Sequence, residues 1–255
     1  MAVSDQGQPN NSLRPRKKGY SRRGKFRRVR KNFFVAFLID LVVILGSALA
    51  LSLLIKTFLI RSFFIPSGSM LETLQIDDRI IVNQLTPALY PMERGDVVVF
   101  KDPGGWLGPD IAEPTDPVTV TVDWVLSAFG ITAPDSKQHL VKRVIGVEGD
   151  RVICCDPDGL ITVNGVSITE PYIAPGETPS SVEFDVKVPP NSLWVMGDNR
   201  GNSEDSRFHG DLPSKGFVSN DWVVGRAFVI SWPVEHWNRL DNYPDVFKNV
   251  PDASN

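Results

Sequence analysis

The chain has 255 residues, 42% of them hydrophobic, and a formal net charge of −3, so it is long enough for one large domain or two small ones. The charge is uneven: residues 1–32 hold eleven Lys or Arg and one acid, a net charge of +10, which leaves −13 for the remainder. The only two cysteines, Cys154 and Cys155, are adjacent, which excludes a disulfide framework between distant parts of the fold.

The N-terminal segment, residues 1–32, is predicted to be a disordered basic tail, because it is polar and lacks an apolar period. Such a polybasic segment before an apolar one is typical of contact with anionic lipid. It carries no nucleic-acid-binding motif, so we expect no nucleic acid among the partners.

The next segment, residues 33–60, is predominantly apolar and predicts a transmembrane anchor. As a helix it would be ~42 Å long at ~1.5 Å per residue, more than the ~30 Å hydrocarbon core requires. The preceding positive charges predict a single-pass type II protein of the cell membrane with a cytoplasmic N-terminus. A cleavable signal ending near Ala48 to Ala50 is the alternative, but the apolar run continues beyond that site.

The segment after the anchor, residues 61–240, is predicted to be a β-rich ectodomain, followed by a C-terminal tail at 241–255. Runs of β-branched residues separated by turn residues predict short strands at 79–83, 96–101, 140–147, 151–154, 160–163, 166–168, 192–196 and 222–230. Asn164-Gly165 predicts a tight hairpin, and 140–147 is expected to pair with 151–154. The fold class is therefore mainly β, antiparallel and barrel-like.

Residues 103–137 interrupt this pattern and predict an insertion rich in Pro, Gly and Asp. Within it, 123–131 fits a short amphipathic helix. Trp124, Leu126 and Phe129 would either dip into the membrane interface or form a small satellite core.

Cys154 and Cys155 allow two interpretations. Alternation along a strand would point their side chains to opposite faces, which favours two small strand residues over a vicinal disulfide.

Ser69 is the candidate nucleophile, in the small-residue segment 66–70 just after the apolar run. A serine hydroxyl must lose its proton as it attacks and so requires a base. The alternative is a capping box, because Ser69 to Glu72 matches the S-x-x-E pattern of a helix start. The Ser67 hydroxyl and the Ser69 N–H are candidate donors to an oxyanion.

Lys142 is the candidate base. None of the three histidines belongs to a recognisable Ser-His-Asp motif, and no G-x-S-x-G segment occurs. Lys142 lies in an apolar strand, where burial would lower its pKa and supply a neutral amine. A surface lysine on a strand edge is the ordinary alternative.

The segment 197–207 offers further polar groups. Asp205 and Arg207 can pair as a scaffold, and Ser203 can orient the lysine amine. The alternative is a solvated loop with local Asx turns.

Four segments in this order, 65–70, 94–100, 142–150 and 197–207, resemble bacterial type I signal peptidase, a membrane-anchored Ser-Lys serine endopeptidase that removes signal peptides from exported preproteins. The resemblance implies a mainly β fold with no metal or cofactor. It implies Ser69 as nucleophile, Lys142 as general base, Ser67 as oxyanion donor, Ser203 as a lysine-orienting hydroxyl and Asp205–Arg207 as a structural ion pair. One departure is Glu72, where many members have proline.

The substrate is expected to bind as an added strand, with alternate side chains entering pockets. The candidate walls are apolar: Phe63, Ile65, Pro66, Met70, Leu74 and Val141. They suit the family preference for alanine at the −1 and −3 positions, so the expected partners are preproteins with Ala-x-Ala sites and membrane lipid, close to the export translocon.

Two other functions fit parts of the sequence. A narrow-substrate Ser-Lys peptidase that matures a pilin or conjugation component would keep every catalytic motif. A non-enzymatic, membrane-tethered β binding module would keep the anchor but has no need of all four segments.

Overall fold

The computed structural model describes residues 23–108 and 138–253, without the side chains of 23–32 and 56–58. Most of the predicted insertion, including the 123–131 helix and its interfacial side chains, lies outside the described residues, as do residues 1–22. The chain divides into two compact units, Met1–Ala50 and Leu51–Asn255.

The N-terminal helix, α1, runs from Arg23 to Phe58. Its segment Phe33–Ile55 has a mean hydropathy of 2.6 and no buried side chains, and is long and apolar enough to cross a membrane. The helix includes residues 23–32, for which the sequence predicts a disordered tail. Arg and Lys are good helix formers, and extending an existing helix adds one hydrogen bond per residue. The helix also ends earlier than the predicted anchor, since Ile60 pairs with Asn83 in a strand.

The rest of the described chain is mainly antiparallel β, as predicted. Its elements are β1 Ile60–Phe64, β2 Arg79–Asn83, β3 Val97–Lys101, β4 His139–Gly146, β5 Arg151–Cys154, β6 Ile161–Val163, β7 Val166–Ser167, β8 Phe184–Lys187, β9 Ser192–Met196, β10 Val218–Ser219, β11 Val223–Trp232, β12 Asn238–Arg239 and the short helix α2 Pro244–Phe247. An eight-stranded sheet has the order β1-β2-β11-β3-β4-β9-β10 with β12 on β11, and a second sheet has the order β7-β6-β5-β8. No closed barrel is detected among the described strands.

The larger sheet is covered on both faces, which β3 shows most directly. Val97 and Val99 pack into a cluster with β1, β2 and β11, whereas Val98 and Phe100 pack into another with β4, β9 and β10. Because successive strand residues point to opposite faces, a run buried at every position requires a layer on each side.

The predicted strands are confirmed to within two residues at each end, and so is the hairpin. Asn164 and Gly165 have positive φ values of 51° and 82°, the backbone of a tight turn between paired strands, and β6 pairs with β7.

The predicted pairing of 140–147 with 151–154 is wrong, because β4 and β5 belong to different sheets. The buried Asp150 carboxylate accepts the Val147 N–H at 2.8 Å and pairs with Arg94 at 2.7 Å. It thereby fixes a turn that redirects the chain. Gly146 allows the end of β4 to pass close to Val152 of β5, since a Cβ at position 146 would lie 2.6 Å from a Val152 methyl.

The favoured interpretation of the cysteines is also wrong: Cys154 and Cys155 are joined by a disulfide. Strand β5 ends at Cys154, so the alternation of faces does not extend to Cys155.

The predicted C-terminal tail packs into the fold as far as it is described. Phe247 and Val250 are buried in the core cluster that also holds Trp194, and the Pro251 carbonyl accepts from Asn164 at 2.9 Å.

Candidate active site

Ser69 and Lys142, 73 positions apart in sequence, are in direct contact, with 2.6 Å between Nζ and Oγ. Ser69 lies in a loop that follows β1, and Lys142 lies in the middle of β4. The loop is closed at its base, where the Ile65 N–H donates to Asp78 O and the Asp77 N–H to Ile65 O, both at 2.9 Å. The structure therefore brings together the two residues on which the predicted chemistry depends.

The capping-box alternative does not hold. The residues after Ser69 form turns rather than a helix, and Glu72 has a positive φ of 79°, a left-handed conformation that an α-helix excludes.

The backbone around the nucleophile is clamped by the segment 197–199. The Asn199 side chain donates to Gly68 O at 2.8 Å, and the Asn199 N–H donates to Ser69 O at 3.2 Å. Gly197 makes this approach sterically feasible, because a Cβ there would lie 2.4 Å from Ser69 O and 2.2 Å from Ser203 Oγ.

Lys142 is 3% exposed, and burial lowers the pKa of its amine to about 8, against the opposing influence of Asp205 and Asp198. Burial is the largest cause because removing an ammonium from water penalises its charged form. Among the described residues, the amine's hydrogen-bond partner is the neutral Ser69 hydroxyl, so no carboxylate holds it directly in the charged state.

Asp205 organises the polar side of the site. Its carboxylate accepts from Gly197 N at 2.9 Å, from Ser203 Oγ at 2.8 Å and from Arg207 at 2.8 Å. Burial alone would raise the pKa of Asp205, but these hydrogen bonds and the Arg207 charge outweigh it and hold the pKa below its usual range. The Asp205–Arg207 ion pair is therefore present. Ser203, the predicted lysine-orienting hydroxyl, donates to Asp205, and the hydrogen bond of the Lys142 amine among the described residues is to Ser69.

Ser67, the predicted oxyanion donor, lies two residues before the nucleophile and is exposed. Among the described residues, neither its hydroxyl nor the Ser69 N–H makes a hydrogen bond, so both are available to a substrate.

The predicted substrate-binding residues fall into two groups. Four are buried, each at most 2% exposed, and pack together in one core cluster: Phe63, Ile65, Met70 and Leu74. Val141 packs against that cluster as a partly buried residue, and Pro66 is exposed.

Arg143, the residue after Lys142, belongs to the site although its sequence context predicted no role for it. Its guanidinium is fully buried in a salt bridge with Asp198 at 2.7 Å, donates to Gly95 O at 2.7 Å and lies 4.2 Å from the centroid of the Tyr172 ring. Two adjacent cations in an otherwise apolar strand were the available signal, since an alternating strand must place them on different faces.

Comparison with known proteins identifies the family of the chain. A profile of the family described as signal peptidase, peptidase S26, matches residues 38–232. The chain is 39% identical to a signal peptidase I of Mycobacterium tuberculosis over 78% of this chain and 74% of that protein. It is 37% identical to a probable signal peptidase I of Mycobacterium leprae over 74% of each. It is 33% identical to a signal peptidase I of Leptolyngbya laminosa over 78% of this chain and 82% of that protein.

Proposed function

The chain belongs to the signal peptidase family, peptidase S26, and is a serine peptidase that removes signal peptides; we propose that Ser69 is its nucleophile and Lys142 its general base. The observation that carries this assignment is the contact between the two, 2.6 Å from Nζ to Oγ, with the lysine nearly fully buried. A nucleophile and its base must be within hydrogen-bond reach, and these two are.

The lowered pKa allows Lys142 to act as a base near neutral pH. With a pKa of about 8, roughly a tenth of the enzyme carries the neutral amine at pH 7. That amine takes the proton of Ser69 as the oxygen attacks the scissile carbonyl, and the resulting ammonium then protonates the departing amine. The same amine next activates a water that hydrolyses the acyl-enzyme.

The developing oxyanion would be stabilised by two donors, the Ser69 N–H and the Ser67 hydroxyl. Fixed donors aimed at this position stabilise the transition state more than the ground state. Neither donor has another partner among the described residues, and the clamp by Asn199 fixes the backbone that carries the first of them.

Ser203 would hydrogen-bond to the Lys142 amine after the acylation step. Because it donates its proton to Asp205, its oxygen is left to accept, and it lies beside Gly197 close to Ser69. We propose that it accepts from Lys142 once Ser69 is acylated, while Arg207 holds Asp205 in place.

The preprotein would bind between two strand edges. Strand β1 pairs only with β2 among the described strands, and the first half of β4, residues 139–142, pairs only with β3. The rings of Phe63 on β1 and His139 on β4 are 5.2 Å apart, so the two edges lie close together. An extended peptide that pairs with them obtains its register from main-chain hydrogen bonds.

The side-chain preference would follow from the apolar cluster beneath these edges. Its members are already packed on one another, and a filled wall leaves room only for a small side chain. Alanine at −1 and −3 therefore fits, whereas a larger residue would require repacking of a dense core.

We further propose that α1 anchors the enzyme in the cell membrane with the N-terminus in the cytoplasm, since eleven Lys or Arg precede the apolar segment. The catalytic domain then lies on the side of the membrane to which exported preproteins are delivered, where membrane lipid and the export translocon would be its neighbours. The relatives named above are all signal peptidases I, so the comparisons give no support to a narrow-substrate peptidase or a binding module.

The test is a cleavage assay with the full chain in detergent and a preprotein that carries an Ala-x-Ala site. We expect cleavage after that site by the wild type and none by Ser69→Ala or Lys142→Ala, because each substitution removes half of a proton-transfer pair. Circular dichroism would establish that the variants are folded. Substantial turnover by a folded Lys142→Ala at neutral pH would refute the lysine as base.

A further inference from the structure

Trp106 and His209 form a buried stack beside the active-site scaffold. Their rings are 4.3 Å apart between centroids and within 7° of parallel, and the two residues are 5% and 6% exposed. Trp106 belongs to the described start of the insertion predicted at 103–137, a segment to which the proposed chemistry assigns no role.

The tautomer of His209 follows from its partner. Nδ1 lies 2.7 Å from the main-chain oxygen of Asp205, and a carbonyl only accepts, so Nδ1 carries the hydrogen. Nε2 lies 3.9 Å from the exposed carboxylate of Glu204. The ring thus holds the backbone of Asp205 through one defined hydrogen bond.

Trp106 is itself held firmly in its place. The Asp102 carboxylate accepts the main-chain N–H of Trp106 at 3.0 Å and that of Gly104 at 2.9 Å. The Phe100 ring contacts the indole edge-on, with centroids 5.7 Å apart. The indole N–H has no hydrogen-bond partner among the described residues. What Trp106 contributes toward His209 is therefore the flat face of its ring.

Asp205 connects this stack to the reacting groups. Its side chain accepts from Gly197 and Ser203, and Gly197 closes against the Ser69 backbone. Any displacement of the Asp205 backbone therefore moves donors within the site, and misplacement by ~1 Å can cost on the order of a hundredfold in rate.

We propose that Trp106 and His209 are positioning residues: the start of the insertion fixes the plane of the His209 ring, and His209 fixes Asp205 in the geometry that catalysis requires. This inference rests on the proposed Ser69–Lys142 chemistry. It gives the described part of the insertion a function in the reaction itself.

The variants separate the two contributions. Trp106→Ala removes the stacking face and Trp106→Phe keeps it. His209→Phe removes the donor to Asp205, whereas His209→Asn keeps an N–H at the position of Nδ1. Val218→Ala, in the same core cluster as Trp106, is the control for lost stability alone.

We expect Trp106→Ala and His209→Phe to lower kcat by roughly ten- to a hundredfold at a temperature where both are folded, with a much smaller effect on KM. Trp106→Phe should retain activity within about threefold of the wild type, with His209→Asn between the wild type and His209→Phe. The double variant Trp106→Ala/His209→Phe should be no worse than the worse single variant, since both act through one contact.

The pH profile of kcat/KM supplies a readout that a purely structural role would not move. The charged groups that act on Lys142 are Asp205, Asp198, Arg207 and Glu204, and among these Asp205 raises its pKa most. If Asp205 moves away, the pKa of Lys142 falls, and the acid limb of the profile shifts to lower pH.

The inference is overturned if Trp106→Ala matches Val218→Ala in kcat, or if it loses activity only in proportion to unfolding with an unchanged acid limb. Ser69→Ala is assayed in parallel. Cleavage by the wild type and not by Ser69→Ala, with no effect of the stack variants, would refute the positioning role alone. Failure of the wild type to cleave would instead refute the proposed function.

Discussion

Two adjacent residues of β4, Lys142 and Arg143, differ in how strongly their surroundings favour the charged form of the side chain. The Arg143 guanidinium is bound by Asp198 and by the main-chain oxygens of Gly95 and Asp241, so it stays charged. Among the described residues, the hydrogen-bond partner of the Lys142 amine is the neutral hydroxyl of Ser69, and the amine is almost as deeply buried as the guanidinium. The pKa of a lysine falls under such conditions, whereas an arginine stays charged, which is why position 142 supplies a base.

Burial of a charged lysine side chain at position 142 should lower the stability of the fold. Lys142→Met removes a buried ammonium and keeps most of the side-chain volume, so we expect it to abolish cleavage and raise the free energy of unfolding at pH 7. The lysine pKa is about 8 in the fold against 10.5 outside it, a difference equivalent to about 3 kcal/mol. Denaturant titrations of both proteins at pH 7 measure it.

Because the pKa of Lys142 is lower in the folded protein than in the unfolded chain, the direction in which stability changes with pH is fixed. Between pH 8 and 10.5 the unfolded chain binds more protons than the folded one, so the wild type gains stability as the pH rises through this window. The advantage of Lys142→Met should therefore shrink toward zero near pH 10.5. An advantage independent of pH would show that the lysine is not buried as a destabilised cation.

At the scale of elements, the nucleophile is positioned by contacts between loops rather than by any regular element. The loop that carries Ser69 and the segment that begins at Gly197 meet through two hydrogen bonds from Asn199. These hydrogen bonds tie the backbone of each segment to that of the other.

Gly197→Ala tests this mutual support. The added methyl would lie 2.4 Å from Ser69 O, well inside van der Waals contact, and the Ser69 backbone would have to move. We expect on the order of a hundredfold loss of kcat with the fold retained. Gly201→Ala is the matched control, because its methyl would meet only the end of the flexible Glu177 side chain, at 3.4 Å. Comparable activity of the two variants would contradict the clamp.

Most of the strands were predictable because their signals are local, as at the Asn164-Gly165 hairpin. The separation of β4 from β5 was not, since it depends on Arg94 reaching the Asp150 carboxylate from 56 positions away. The site shows the same division. Residue types indicated Ser69 and Lys142, but the backbone clamp by Asn199 exists only once distant loops meet.

At the scale of the whole molecule, the second compact unit contains all three hydrophobic core clusters described above. It therefore has what a domain requires to fold without the apolar helix. The apolar segment Phe33–Ile55 has no buried side chains, which fits a helix that is anchored in a membrane.

Removal of residues 1–58, which deletes the first unit and the rest of α1, tests whether the β-rich part folds alone. We expect the shortened protein to fold and to cleave a short soluble peptide in detergent with unchanged kcat/KM. Toward a preprotein embedded in lipid vesicles it should be at least roughly tenfold slower, because anchoring supplies a high effective concentration of substrate. Equal rates in vesicles would contradict the role of the anchor, and an unfolded product would contradict independent folding.

The edge of β1 away from β2 and the edge of β4 at 140–142 away from β3 have no strand partner among the described strands, which has a consequence for inhibition. A molecule that spanned both edges in an extended form would derive its affinity mainly from the enzyme's own amide groups, which every residue except proline carries. Side-chain substitutions along those strands would leave such contacts in place, and proline would also destroy the docking of the natural substrate. An inhibitor of this design would leave the target few routes to resistance.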